Sequence, residues 1–211
     1  MSACWLQFLQ NTQPSINLAL ATESSSEMND HSETYISRSR LTLTRLRELY
    51  GEVDVEAQRI AAEHGARLQC RRGCSQCCVD GLTVFAVEAE NIQSQHAQLL
   101  ANESPHPLAG CAFLDKEGGC RIYQDRPYVC RTQGLPLRWI DETVDFEFVE
   151  LRDICPLNDE GTPIEELTES ECWTIGPVEE RLAKLQAEFG HGEMTRVPLR
   201  GLFTSQTPDM V

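Results

Sequence analysis

The stretch CRRGCSQCC, residues 70–78, contains four of the ten cysteines of this 211-residue chain. Four more follow at Cys111, Cys120, Cys130 and Cys155. The spacing Cys74-x-x-Cys77 lets one tight turn place two sulfurs on a metal, at about 2.3 Å from each. Thiolates select zinc, iron–sulfur clusters or copper(I) over hard ions. The stretch therefore predicts a thiolate-bound metal site that staples the domain, while the 41 % hydrophobic content is enough for a core of its own.

The expected compartment decides whether these thiols stay reduced. No Lys or Arg precedes Arg38, and the N-terminus lacks the unbroken apolar stretch of about 7–15 residues that a secretory signal needs. No apolar run approaches the roughly 18 residues of a membrane span. We therefore expect a cytoplasmic protein with free thiols and no membrane contact, and disulfide stapling is the least favoured alternative.

The charge of the chain is unevenly distributed. Residues 141–193 contain sixteen acidic and three basic residues, which accounts for −13 of the net charge of −15. A field of this sign repels phosphate backbones, so we expect no nucleic-acid partner. The acidic face is either an ordinary solvated surface or a docking site for an unknown basic protein partner.

Arginines, in contrast, surround the cysteines. Such cations stabilise thiolates and offset the excess negative charge of a four-thiolate site. Ordinary surface arginines are the equally weighted alternative. The arginines concerned are Arg67, Arg71, Arg72, Arg121, Arg126, Arg131 and Arg138.

Composition divides the chain into three parts. Residues 1–36 are rich in Ser, Thr, Asn and Gln and predict a disordered tail. Residues 37–195 are predicted to form a single cysteine-cluster domain with its motif core at 70–157, and residues 196–211 an irregular C-terminal tail.

Apolar periodicity predicts three helices, from Leu41 to Gly65, from Val87 to Ala101 and from Pro177 to Gly190. A short helix is expected near Pro127, with Asp125 near its cap. Strands at 135–140 and 143–151 predict a hairpin with its turn at residues 141–142. The expected fold class is α+β: a small, irregular, helix-rich, metal-stapled domain with flanking helices and one β-hairpin.

The first four cysteines have a second geometric interpretation. On a helix they would share about a third of the circumference and could form a buried apolar stripe. Gly73 and the flanking arginines fit such a core helix poorly. The adjacent Cys77 and Cys78 side chains tend to diverge, so the partition of eight thiols into one site or two stays open.

The full pattern resembles the YkgJ-type cysteine-cluster family, the CxxCxxCC zinc- or iron-chelating domain. The resemblance rests on the opening block, on GCAFL at 110–114, on GCRIYQDRPYVCR at 119–131 and on CPL at 155–157. It implies a metal site holding an iron–sulfur cluster or zinc, and scaffold roles for Tyr123, Arg126 and Pro127. Arg126 would pair with a carboxylate or with a sulfur-bound centre. The implied ligands are Cys70, Cys74, Cys77, Cys78, Cys111, Cys120, Cys130 and Cys155.

Three functions compete on this basis. The favoured one is a metal-binding protein with a redox, sensing or maturation role. The alternatives are a cluster- or thiol-dependent enzyme and a metal-stabilised acidic interaction module. The enzyme is less favoured because the histidines show no paired catalytic spacing and are expected on the surface; they are His31, His64, His96, His106 and His191. Cys4 and Cys172 are expected to be ordinary thiols.

Overall fold

A computed structural model describes the backbone of residues 27–203 and the side chains of residues 38–203. Four α-helices are described, α1 Glu27–Glu63, α2 Ala86–Asn102, α3 Tyr128–Arg131 and α4 Pro177–Phe189. The five strands are β1 Thr83–Phe85, β2 Leu137–Glu142, β3 Phe148–Asp153, β4 Trp173–Thr174 and β5 Arg196–Pro198. This content confirms the predicted α+β class.

The long helix α1 organises the larger of two hydrophobic clusters. Its predicted stripe is buried at Leu46, Leu49, Val53 and Ile60, each 2 % exposed or less. These side chains pack against α3, α4 and the start of β2. Burying an aliphatic side chain of this size contributes about 1.5–3 kcal/mol. The cluster therefore fixes the short helix α3, which carries Cys130.

The second cluster lies beneath α2 and the strand pair β1–β5. It contains Ile92, Phe113, Ile122 and Leu202, and the cysteines at 111 and 120 pack on its border. Because β5 pairs antiparallel with β1, the C-terminal segment closes this side of the domain.

Two boundaries differ from the sequence prediction. Helix α1 begins at Glu27, inside the predicted tail, whereas residues 1–26 lie outside the described part. Residues 196–203 are not irregular: β5 is followed by a 3₁₀ turn at Leu199–Leu202, and Leu199 and Leu202 are both buried at 3 % exposure. The cause is apolar burial of two leucines that the tail prediction overlooked.

The predicted hairpin is present, but its turn is displaced. Strands β2 and β3 pair from Leu137–Asp153 to Glu142–Phe148, so the turn occupies residues 143–147 rather than 141–142. Val144 and Phe146, which alternation assigned to a strand, lie in this turn. Strand β4 pairs parallel with β2 on the other side, which leaves β3 at the edge of the sheet.

The helix-end signals of the last helix are confirmed. Helix α4 starts at Pro177 and ends before Gly190, and a capping box of Thr168 and Glu171 opens the 3₁₀ turn Glu169–Glu171 that precedes β4. The short helix expected near Pro127 is α3, which this proline directly precedes. Within the described residues, no helix is both long and apolar enough to cross a membrane.

Candidate metal centre

The opening cysteine block is a succession of turns, not a helix. The Cys74 N–H donates to the carbonyl of Arg71, and the Cys78 N–H donates to the carbonyl of Ser75, each at 2.9 Å. The buried-helix interpretation is therefore wrong for these four cysteines. Turns of this kind expose sulfur on several sides of a loop.

One group of thiols gathers around Cys70. Burial raises the pKa of Cys70, and negative charge on Cys74, Cys155 or Cys77 raises it further. Thiols that perturb one another in this way lie within electrostatic range. Residues 85 positions apart in sequence, Cys70 and Cys155, are thus brought to one place.

Asn158 joins the loops that carry these two cysteines. This side chain is completely buried. Its Oδ1 accepts the N–H of Gln69 at 2.8 Å, while its Nδ2 donates to the carbonyl of Gly134 at 2.7 Å and lies 3.5 Å from Cys70 Sγ. Its own N–H donates to the carbonyl of Cys155 at 2.7 Å. One amide therefore holds three loops together beside the thiol of Cys70.

Gly134 completes the same contact. Its φ of +92° favours glycine, and a Cβ at this position would lie 2.4 Å from Cys70 Sγ. Both the conformation and the space at residue 134 thus require the absence of a side chain. Cys70 fits against bare backbone here.

A second group of thiols lies between the two hydrophobic clusters. Burial raises the pKa of Cys130 well above its usual value, and charge on Cys111, Cys120 or Cys77 adds to the effect. Cys111 donates its N–H to the carbonyl of Cys78 at 2.9 Å. Leu114 and Cys120 form a β-bridge that closes the loop between the two cysteines. The second group is therefore Cys78, Cys111, Cys120 and Cys130.

Cys77 and Cys78 link the two groups. The two neighbouring thiols interact closely, so ionisation of Cys77 raises the pKa of Cys78. Negative charge on Cys77 adds to the burial that raises the pKa of Cys70 in one group and of Cys130 in the other. The pair therefore stands where the two groups meet.

The donor chemistry fits a soft metal. Eight thiols are concentrated in one region, and the mutual repulsion of their charged forms is relieved by a bound cation. None of the nine cysteines among residues 38–203 forms a disulfide. Over the same residues, no three His, Cys, Asp or Glu side chains already have the arrangement of a finished metal site. Metal binding would therefore require the thiols of each group to turn toward a common centre.

The arginines divide into two roles. Arg126 lies 3.4 Å and Arg131 lies 2.5 Å from carboxylate oxygens of Asp54 on α1. Arg126 therefore pairs with a carboxylate, the first of its two expected partners. Burial raises the pKa values of Cys111 and Cys120, and the charge of Arg121, which also pairs with Glu103 at 2.9 Å, offsets part of this rise.

Arg67 belongs to the Asn158 connection, because its Nε donates to the backbone carbonyl of that residue at 2.6 Å. Arg72 and Arg138 form ion pairs with carboxylates: Arg72 with Asp115 at 3.4 Å, and Arg138 with Glu150 at 2.8 Å. The local basic patch is thus largely neutralised by its own acidic neighbours.

Two residues near the thiols were not found from the sequence. Arg200 donates to the carbonyls of His106 and Gly110, and its charge offsets part of the rise that burial causes in the pKa of Cys111. Glu88 is buried and accepts hydrogen bonds from Tyr50 Oη at 2.8 Å and from the Tyr128 N–H at 2.9 Å. Asn158 was also missed, although its place within one turn of Cys155 offered a signal, whereas nothing local marks Arg200.

The other two cysteines and His64 have the following positions. Cys172 is buried beside β4, and Cys4 lies outside the described residues. His64 is buried at 8 % exposure and hydrogen-bonds to the carbonyl of Glu171, so the expected surface location is wrong for it. Its position at the end of α1 explains the burial.

The comparisons with known proteins agree with this chemistry. Residues 69–156 match the CxxCxxCC family model, described as "Putative zinc- or iron-chelating domain". The match covers every candidate ligand and confirms the resemblance found in the sequence. No curated protein and no solved structure matches the chain.

Proposed function

We propose that this chain, whose residues 69–156 match the zinc- or iron-chelating CxxCxxCC domain, binds metal in two four-thiolate centres in the cytoplasm. The first centre would use Cys70, Cys74, Cys77 and Cys155. The second would use Cys78, Cys111, Cys120 and Cys130. The observation that carries this proposal is how the fold places the eight cysteines. The buried Asn158 side chain joins the loops of Cys70 and Cys155, whereas Cys111 is hydrogen-bonded to the Cys78 backbone and Cys111, Cys120 and Cys130 pack on the two hydrophobic clusters.

The two centres differ in their surroundings. Cys70 and Cys77 are exposed and lie on turns, whereas Cys130 packs against the α1 cluster and Cys111 against the α2 cluster. Metal in the second centre would join the two halves of the core. Metal in the first would fix surface loops and stay accessible to a partner or to electron exchange.

Either zinc or an iron–sulfur cluster suits four thiolates. Zinc closed by four cysteines is structural, whereas a cluster supplies electron transfer when bound. Purification without oxygen, followed by metal and acid-labile sulfide analysis, separates the two. A brown protein with broad absorption near about 400 nm would establish the cluster, and a colourless protein that retains zinc would exclude it.

Single substitutions can test the division of the eight cysteines into two centres. Cys74→Ser should remove about half of the bound metal and spare the second centre, and Cys120→Ser should do the reverse. Cys172→Ser is the matched control, because this buried thiol lies outside both groups and should leave the metal content unchanged. Complete loss of metal from the folded Cys74→Ser protein would contradict two separable centres.

The second centre should matter more for stability, because its ligands lie between the clusters. We expect Cys120→Ser to lower the thermal unfolding midpoint more than Cys74→Ser does. Circular dichroism of the metal-loaded variants measures the difference, and an equal effect would remove the distinction between a core centre and a surface centre.

A further inference from the structure

The β2–β3 hairpin concentrates exposed apolar surface. Six of the eleven exposed large apolar side chains among residues 38–203 lie between positions 140 and 151. The most exposed are Val144 at 94 %, Phe146 at 81 % and Phe148 at 74 %. Ile140 and Phe148 lie on one face of the hairpin and Val149 and Leu151 on the other. Single exposed apolar residues are ordinary, whereas this many on one hairpin indicate an interaction surface.

The turn of this hairpin holds a phenylalanine where glycine is favoured. Phe146 has a φ of +62°, and its N–H donates to the carbonyl of Thr143 at 3.0 Å. The Thr143 N–H donates to the carbonyl of Glu147 at 2.8 Å and closes the loop. A bulky side chain in the left-handed region is strained, and such strain clusters at functional positions. The backbone conformation of Phe146 therefore destabilises the fold, and because its side chain is exposed, apolar burial does not offset this cost.

The charge of the hairpin indicates what covers it. Asp141, Glu142, Asp145 and Glu147 lie around the apolar side chains, and within residues 38–203 none of these four forms an ion pair. A second copy of the same acidic hairpin would be repelled, whereas lysines or arginines of another protein would be attracted.

The backbone indicates how the partner binds. Strand β3 is an edge of its sheet, and only its C-terminal half is covered: Arg152 donates to the carbonyl of Ile164 at 2.8 Å. The half that begins at Phe148 is open to a further strand. Extended segments commonly bind by adding a strand to such an edge.

We propose that the 140–151 hairpin docks an extended, basic segment of a partner protein, which adds to the free half of β3 and covers Phe146 and Phe148. This surface lies outside the thiol centres and does not depend on which metal they bind. The proposal therefore stands or falls separately from the metal-binding function.

The test uses the full metal-loaded chain and an octapeptide of alternating valine and lysine, with binding followed by calorimetry at low salt. The control peptide replaces each lysine with glutamate. We expect the lysine peptide to bind at least about tenfold more tightly, with an affinity that falls as salt is added. Equal binding of the two peptides would overturn the charge argument.

Phe146→Gly gives the decisive variant, because glycine suits the turn and should raise the thermal midpoint while leaving the metal content unchanged. We expect this variant to bind the lysine peptide at least about tenfold more weakly. Leu108→Ser is the control, because it replaces another exposed apolar side chain, 78 % exposed and outside the hairpin. This variant should bind the lysine peptide as the wild type does. Unchanged binding by Phe146→Gly, or a dimer in sedimentation that Phe146→Gly dissolves, would overturn the proposal.

Discussion

Replacing Asn158 by alanine should loosen the first thiol group more than any other change outside the cysteines. The alanine removes one acceptor and one donor, which leaves the Gln69 N–H and the Gly134 carbonyl without the partners they have at 2.8 and 2.7 Å. Each lost hydrogen bond costs about 0.5–1.5 kcal/mol, and leaving a buried partner unsatisfied raises this to about 1–3 kcal/mol. Because the two losses share one side chain, we expect about 2–4 kcal/mol in the free energy of unfolding.

The same change should reach the metal. Without its amide contact at 3.5 Å, Cys70 is no longer fixed relative to Cys155, and about half of the bound metal should be lost. Second-sphere changes of this kind typically weaken metal affinity about 10–100-fold. Guanidinium titration and metal analysis of the same preparation measure both effects.

The exposed Asn102 serves as the control for the buried Asn158, because the two side chains are chemically identical and differ only in their position. Asn102→Ala removes a single exposed bond to the carbonyl of Gln98 and should stay within about 0.5 kcal/mol of the wild type. Asn158→Asp retains the acceptor but places an oxygen against the Gly134 carbonyl, so it should be at least as damaging as alanine. Full metal content and stability in Asn158→Ala would refute the role of this residue as the connection between loops.

Three further changes test the surroundings of the thiols. Gly134→Ala places a Cβ 2.4 Å from Cys70 Sγ and should reduce the metal content to about that of Cys74→Ser; unchanged content would contradict the close approach. Asp54→Ala leaves Arg131, whose side chain is 2 % exposed, without its carboxylate partner. Urea titration should show that the free energy of unfolding falls by about 1–3 kcal/mol, which is less than for a fully buried ion pair. Burial raises the pKa of Glu88 above 4.5, so the stability that it contributes is complete below pH 4.5 and is lost as the pH rises through its folded pKa. Glu88→Gln should remove this dependence of the free energy of unfolding on pH. The same dependence in both proteins would contradict the prediction.

The helices were predictable because each buries one periodic apolar face. The stripe of α1 and the Pro177 start of α4 depend on neighbours three or four residues apart, and such patterns are visible in one sequence. The hairpin was predictable from its two runs of strand-forming residues, although its apolar side chains are largely exposed. Its turn was not predictable. Alternation of Val144, Phe146 and Phe148 imitates a strand, and only the closed loop of Thr143 and Glu147 shows that the first two lie in the turn.

The candidate ligands were predictable as a set, but not their grouping. Spacing brings Cys74 and Cys77 together through one local turn, whereas the approach of Cys155 to Cys70 depends on the buried Asn158 in the turn after Cys155 and on Gly134 in a separate loop. Contacts of this kind join distant segments and leave no periodic mark. The position of Arg200 was unpredictable for the same reason, because its place beside the loop of Cys111 depends on the pairing of β5 with β1.

The adjacent cysteines explain why two centres would not be independent in the proposed arrangement. Consecutive Cα atoms lie about 3.8 Å apart, so Cys77 and Cys78 hold the two groups side by side however their side chains diverge. In the proposed arrangement a cation in one group would therefore lie close to the thiols of the other, and its charge would favour their ionised, metal-binding forms. The doubled cysteine would thus couple the loading of one centre to the other, which two well-separated pairs could not do.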